Sequence, residues 1–257
     1  MRLIADTHVH FYPCYNIKQA FNNLRNNLSS LDTNATCMAF LAERHDCHFF
    51  QEFSERRNKI LGDDIQVQLF DNALLFSEQG FPDLYLFAGR QIITQERIEI
   101  LALTTDVELE DGLAVDEVIS LVRTDGGLPV VSWAPGKWFF QRKEVVASLI
   151  EKYEPGEILF GDTTLRPTGW LEPLLMRRAV QKSFGCIAGS DPLPFSGEEK
   201  RMGQYAIQFD LDSYEENPVD SIRTLFRHPG FTPVRVGRRG RPLETLTRIY
   251  QNAQSKK

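Results

Sequence analysis

The stretch 3-LIADTHVHFYP-13 joins a short apolar run, Leu3-Ile4-Ala5, to Asp6-Thr7-His8-Val9-His10. Side chains alternate between the two faces of a strand, so His8 and His10 project to the same side. An apolar run that ends in two imidazoles describes a buried strand whose far end opens on a polar site. Neutral imidazoles at this spacing are ligands for zinc, manganese or iron. The structural alternative is a pair of histidines hydrogen-bonded in a polar cavity mouth.

On the C-terminal side of this stretch, helix-like and strand-like runs alternate. Ile17, Ala20, Phe21, Leu24 and Leu28 carry helical spacing over 17–28, the apolar run 36–42 (TCMAFLA) predicts a buried strand, and 50–61 predicts a charged helix. A strand-rich region follows at 65–70, 73–77, 84–94 and 98–104, then a helix over 115–123 that stops at Asp125-Gly126-Gly127. Strands are predicted at 128–133, 158–162 and 186–190, between helices at 142–153 and 171–183. A helix at 219–226, a strand at 232–236 and a helix at 243–251 complete the chain. Repeated βα units with short connections predict a parallel sheet. About seven core strands with polar residues at their ends predict a distorted (β/α)7-type barrel. No linker or repeat divides residues 1–257, so one domain is expected, with a basic strand–helix segment at 221–257.

The chain has 257 residues, 42% hydrophobic and 25% charged, enough to bury a full core. No apolar run reaches the roughly eighteen residues of a membrane span, and no basic region precedes an apolar leader. Cys14, Cys37, Cys47 and Cys186 form no C-x-x-C pair and read as reduced thiols, so a cytoplasmic location is expected. The net charge of −6 is uneven: from Ser221 onward nine Lys/Arg face the single Glu244. An acidic body with a basic tail suits a small anionic or phosphorylated substrate, or a basic helix that pairs with the body itself. Neither a P-loop, a dinucleotide fingerprint nor a nucleophile-elbow serine is present.

The motifs resemble those of the PHP family (polymerase and histidinol phosphatase), metal-dependent hydrolases, and more distantly those of the amidohydrolases. ADTHVHFYP is similar to the first motif of both. In 42-AERHDCHFF-50, His45 falls on the histidine of the second PHP motif, while Arg44 stands where that family has an aspartate. In 88-AGRQIIT-94, Gln91 replaces a bridging glutamate; in 126-GGLPVVSWAPGK-137, Ala134 holds a histidine's place. The stretch 187-IAGSDPLPF-195 is similar to the closing motif, keeping Asp191 but carrying Leu193 for a histidine.

The resemblance therefore implies a reduced ligand set. His8, His10 and Asp191 are enough for one ion plus water, whereas a two- or three-metal cluster is out of reach. Arg44, a permanent cation with a fork that suits phosphate, could replace the charge of a lost ion, or simply pair with Glu43 or Asp46. Asp191, at the end of a late strand, is the candidate carboxylate ligand; a turn aspartate before Pro192 is the alternative. Asp162 shares that strand-end position. His45, Cys47 and His48, with Cys14, form a second conceivable ligand group.

Three functions follow. The first is a phosphoesterase with a mononuclear site on His8, His10 and Asp191, in which His45 and Arg44 act on the substrate and Gln91, Lys137 and Arg239 help bind it. The second is a catalytically inactive PHP-like protein that binds a small anion or a protein partner. The third is a divergent amidohydrolase, although no histidine lies between His48 and His228. The match of 239-RGRP-242 to a minor-groove DNA reader is short and the chain acidic, so nucleic acid is not expected as a partner.

Overall fold

The computed structural model describes residues 1–62, 64–211 and 217–255, with the side chains of 57–59 set aside. Its first half runs β1 (Arg2–Val9), α1 (Ile17–Leu31), β2 (Thr36–Leu41), α2 (Phe49–Leu61), β3 (Gln66–Phe70), β4 (Ala73–Ser77), β5 (Leu84–Phe87), β6 (Gly89–Ile93) and β7 (Glu99–Leu103). Then come α3 (Val115–Thr124), β8 (Leu128–Ser132), α4 (Gln141–Lys152), β9 (Leu159–Thr163), α5 (Leu174–Gln181), β10 (Cys186–Gly189), β11 (Tyr205–Asp210), α6 (Pro218–Phe226), β12 (Val234–Gly237) and α7 (Pro242–Gln254). No helix among the described residues is long and apolar enough to cross a membrane.

The strands form two open sheets, one of seven strands in the order β12-β11-β1-β2-β5-β4-β3 and one of five, β10-β9-β8-β7-β6. This corrects the expectation of a (β/α)7-type barrel. The physical reason lies in which edges are occupied. β11, a strand the periodicity reading did not predict, pairs antiparallel with β1 from Arg2↔Asp210 to Ala5↔Ile207, and β5 takes the far edge of β2. With both edges of the β1–β2 pair filled, the sheet cannot close on β10 or β6 through continuous ladders. The run 84–94, expected as one strand, divides at Ala88 so that its halves join different sheets.

Two glycines let the sheets meet. At one seam Asp191 N donates to His8 O (2.9 Å), and a Cβ on Gly189 would stand 2.3 Å from His8 N. At the other, Gln91 N donates to Glu43 O (2.8 Å) and Glu43 N to Gly89 O (2.9 Å), while a Cβ on Gly89 would fall 2.0 Å from Leu41 O. A side chain at either position would force the sheets apart.

Between the sheets lie Leu3, Ala5, Met38, Phe40, Phe87, Leu101, Val130, Leu159, Ile187, Ile207 and Phe226. Ile4, Cys37, Ala39 and Leu41 face the other way, onto α1 and α2, and a third cluster packs α3, α4 and α5 on the five-stranded sheet. Both faces of β1 and β2 are thus buried, which explains their nearly continuous apolar runs. α1 forms because Ala20, Phe21, Leu24 and Leu28 line one face and Asn16 caps it, its side chain accepting from Gln19 N at 3.0 Å.

The basic C-terminal segment pairs with the acidic body. Arg235 lies 2.5 Å from Glu172 and Arg248 2.7 Å from Glu198, while Arg223 and Arg227 donate to the carbonyls of Thr104 and Gly126. Lys256 and Lys257 lie outside the described residues.

Candidate metal centre

The pairing of β1 with β2 shifts register between Asp6 and Val9, where three steps on β1 meet two on β2. This bulge decides where the histidines point. Ile4 faces α1, and strict alternation would send His8 the same way. Instead Val9 takes that face and His8 and His10 turn inward. Asp6 secures the bend: its Oδ1 accepts from Ser190 N (2.8 Å) and His8 N (3.2 Å), its Oδ2 from Gly203 N (2.8 Å). Burial nevertheless pushes its carboxyl up to about 6.

His8 Nε2 and His10 Nε2 stand 3.0 Å apart, and Asp191 Oδ1 lies 3.7 Å from the first and 3.9 Å from the second. All three residues are buried, and their ligand atoms lie within 4.8 Å of one another. Two ligands each about 2.1 Å from a tetrahedral ion stand about 3.4 Å apart, a value the observed separations bracket. Burial, His8 and Arg44 hold the His10 imidazole well below its usual range, so it is in the neutral, ligating form. Its Nδ1 is buried without a hydrogen-bond partner. Burial raises the Asp191 carboxyl, Glu99 adding to the effect, while His8, Arg248 and Lys137 oppose it. These residues fit one divalent cation.

A cavity of about 540 Å³ opens over this group. Arg44, His45, Gln91 and Lys137 line it, as do Ala134 and Leu193, so the sequence motifs converge in space. Arg44 reaches Asp46 at 3.2 Å and lies over the Tyr12 ring at 6.0 Å; Tyr12 in turn stacks on His10 with centroids 5.2 Å apart. Lys137 Nζ is 3.2 Å from Glu99 Oε2.

Sequence reasoning passed over Glu99, Asp111 and Tyr12, and the α7 residues Ile249 and Asn252, all of which line the cavity. Glu99 had a signal: it is a charged residue opening the otherwise apolar strand EILAL and is itself buried.

Arg239 does not line the cavity. Its guanidinium reaches Trp170 O at 3.4 Å, and its carbonyl accepts from Thr168 Oγ1, because 238–241 forms the short connection from β12 into α7. That connection also absorbs the R-G-R-P match. Asp162 is fully engaged by Arg166 Nε (2.8 Å) and Tyr205 Oη (2.8 Å), a structural role. The second conceivable ligand group does not assemble: Cys47 packs in the core with Phe49 and Phe53, His48 is exposed, and no other three ligands converge among the described residues.

Neither a protein-family model nor a curated protein sequence matches the chain. Among solved structures, the fold is similar to that of PsfC from Pseudomonas syringae PB-5123, with a TM-score of 0.59 at 12% identity over 99% of this chain and 98% of that one. The lesion-specific endonuclease PfuEndoQ from Pyrococcus furiosus matches with a TM-score of 0.48 at 13% identity, over 88% of this chain and 56% of that one. An Endonuclease Q in complex with a 27-mer duplex substrate carrying an abasic lesion matches with 0.49 at 11%, over 88% and 57%. The chain spans just over half the length of these two endonucleases. Identities this low speak of the fold alone. The expectation that nucleic acid is not a partner does not stand as a deduction from charge. The exclusion had rested on the charge of the whole chain, whereas Arg44 and Lys137 place cations at the cavity itself.

Proposed function

We propose that the protein is a divalent-metal-dependent hydrolase of phosphate esters, PHP-like in its ligand pattern, with a single ion held by His8, His10 and Asp191. The observation that carries this reading is the convergence of those three ligand atoms within 4.8 Å beneath a cavity lined by Arg44, His45 and Lys137. A divalent ion bound there supplies Lewis-acid polarisation of a phosphoryl oxygen and eases the ionisation of water.

The chain's own residues do the rest. Arg44 and Lys137 hold the anionic oxygens of the ester, the first as a planar fork and the second as a point charge. His45, exposed at the rim, and the Gln91 amide orient the substrate by hydrogen bonding. Tyr12 fixes the plane of His10 by stacking on it, and Glu99 fixes Lys137.

Loading untagged protein with zinc, manganese or iron and assaying p-nitrophenyl phosphate beside a duplex with an abasic site tests this reading. Metal-dependent turnover that disappears in His8→Ala/His10→Ala is the expected result, and the preferred ester reports the substrate class. One observation favours a second reading, a non-catalytic anion-binding protein: Ala134 and Leu193 line the cavity where the resemblance expects histidines. Retained phosphate binding with no turnover under any metal would establish that alternative.

A further inference from the structure

We propose that Arg248, reaching inward from α7, is a positioning residue for Asp191, and that metal binding is thereby coupled to the docking of this C-terminal helix. The proposal rests on the metal-centre reading above and adds to it a residue from outside the cavity.

Asp191 is held in a backbone conformation its own sequence disfavours. Its φ is +46°, in the left-handed region, and it precedes Pro192, whose ring biases the preceding residue toward extended backbone. Tertiary bonds must therefore impose the geometry that aims this carboxylate at the two histidines. Arg248 is only 2% exposed and supplies them. Its Nη2 donates to Asp191 O (3.2 Å) and to Glu198 Oε2 (2.7 Å), its Nε to both oxygens of Glu198, and its Nη1 to Thr164 Oγ1 (2.9 Å). Thr164 Oγ1 in turn donates to Ser190 O, and Glu198 Oε2 accepts from Leu193 N at 3.1 Å. One buried guanidinium thus fixes Ser190, Asp191 and Leu193 by their main chain, two of the contacts through relays.

The same residue is the main anchor of its helix. Thr245 and Arg248 are the buried residues of α7, whereas Leu243, Leu246 and Tyr250 are each at least 65% exposed. With so little apolar contact beneath it, α7 stays in place largely through the polar clamp. An ion that demands the Asp191 geometry therefore favours the docked helix, and an undocked helix releases the ligand. This is a coupling between two sites through one shared contact.

Calorimetric titration with zinc and with manganese on the wild type, Arg248→Met, Arg248→Lys and Thr164→Val tests the proposal, alongside amide hydrogen exchange of the wild type with and without metal. Metal affinity should fall about 10- to 100-fold in Arg248→Met and Thr164→Val, the range usual for groups that orient ligands. Arg248→Lys should recover part of it, and metal should slow exchange across α7. Thr164→Val removes the relay to Ser190 together with the acceptor for Arg248 Nη1 and keeps the buried ion pair with Glu198, so it decides the matter if Arg248→Met does not fold. Wild-type affinity in folded Arg248→Met or in Thr164→Val, or α7 exchange indifferent to metal, overturns the proposal and leaves the metal centre standing. A wild type that binds neither metal overturns the metal-centre reading and this proposal with it.

Discussion

His8 Nε2 lies 3.0 Å from His10 Nε2, and both lie within 3.9 Å of a single oxygen of Asp191. That spacing is a hydrogen bond, with one ring donating through Nε2. An ion requires both Nε2 lone pairs, so both rings must then carry their proton on Nδ1. The pair is held by the bulge in β1 on one side and the left-handed Asp191 on the other.

Glu43 sets a pH dependence of stability. Burial pushes its carboxyl from an ordinary 4.5 up to about 7, against the opposing pull of Arg90 and the amides of Phe50 and Phe49. The folded state therefore holds the proton more tightly than the unfolded chain between those values. Stability contributed here is greatest below about 4.5, falls as pH rises to about 7, and is level beyond; the whole change is up to about 3 kcal/mol. Glu43→Gln keeps an acceptor for the two amides and should flatten the slope. Urea denaturation at pH 5 and pH 8 measures it, and an unchanged slope in the variant would place the effect elsewhere.

Arg44 should act in opposite directions on cations and anions. Its charge depresses the proton affinity of His10, and it repels a metal ion by the same field. Arg44→Gln is expected to bind zinc or manganese about two- to tenfold more tightly and inorganic phosphate more weakly by a similar factor. Calorimetry on both ligands checks the pair of signs. Tighter phosphate binding in the variant would remove Arg44 from the substrate side of the site.

Lys137 is paired with a carboxylate that has little access to water, the Glu99 side chain being 9% exposed. Lys137→Met should lower stability by about 1–3 kcal/mol, because it leaves Glu99 unpaired near Asp191. Lys137→Met/Glu99→Gln should restore stability but not phosphate affinity. Recovery of both in the double variant would show that Lys137 only neutralises Glu99.

Much of this site is legible in the sequence because strand ends are local features. His8, His10 and Asp191 each follow an apolar run that burial makes unambiguous, and the ends of such runs collect at one mouth of the molecule. The closure of the sheet is a different matter. It depends on whether an edge is free, and YAIQFD (Tyr205–Asp210) claims the edge of β1 through a pairing about 200 residues distant in the chain, which no local periodicity reports. The bulge is equally hidden: a reader counting by twos places His8 and His10 on one face but cannot tell which face. Arg239 shows the converse error, a cation assigned to the mouth by its charge although the connection into α7 carries it to Trp170.

In the proposed function His8, His10 and Asp191 hold one ion. Plasma mass spectrometry on untagged protein, beside His8→Ala/His10→Ala, counts that ion. About one zinc, manganese or iron per chain, absent from the variant, is the predicted result. No bound metal, together with no rise in Tm when any of the three is added, would contradict it.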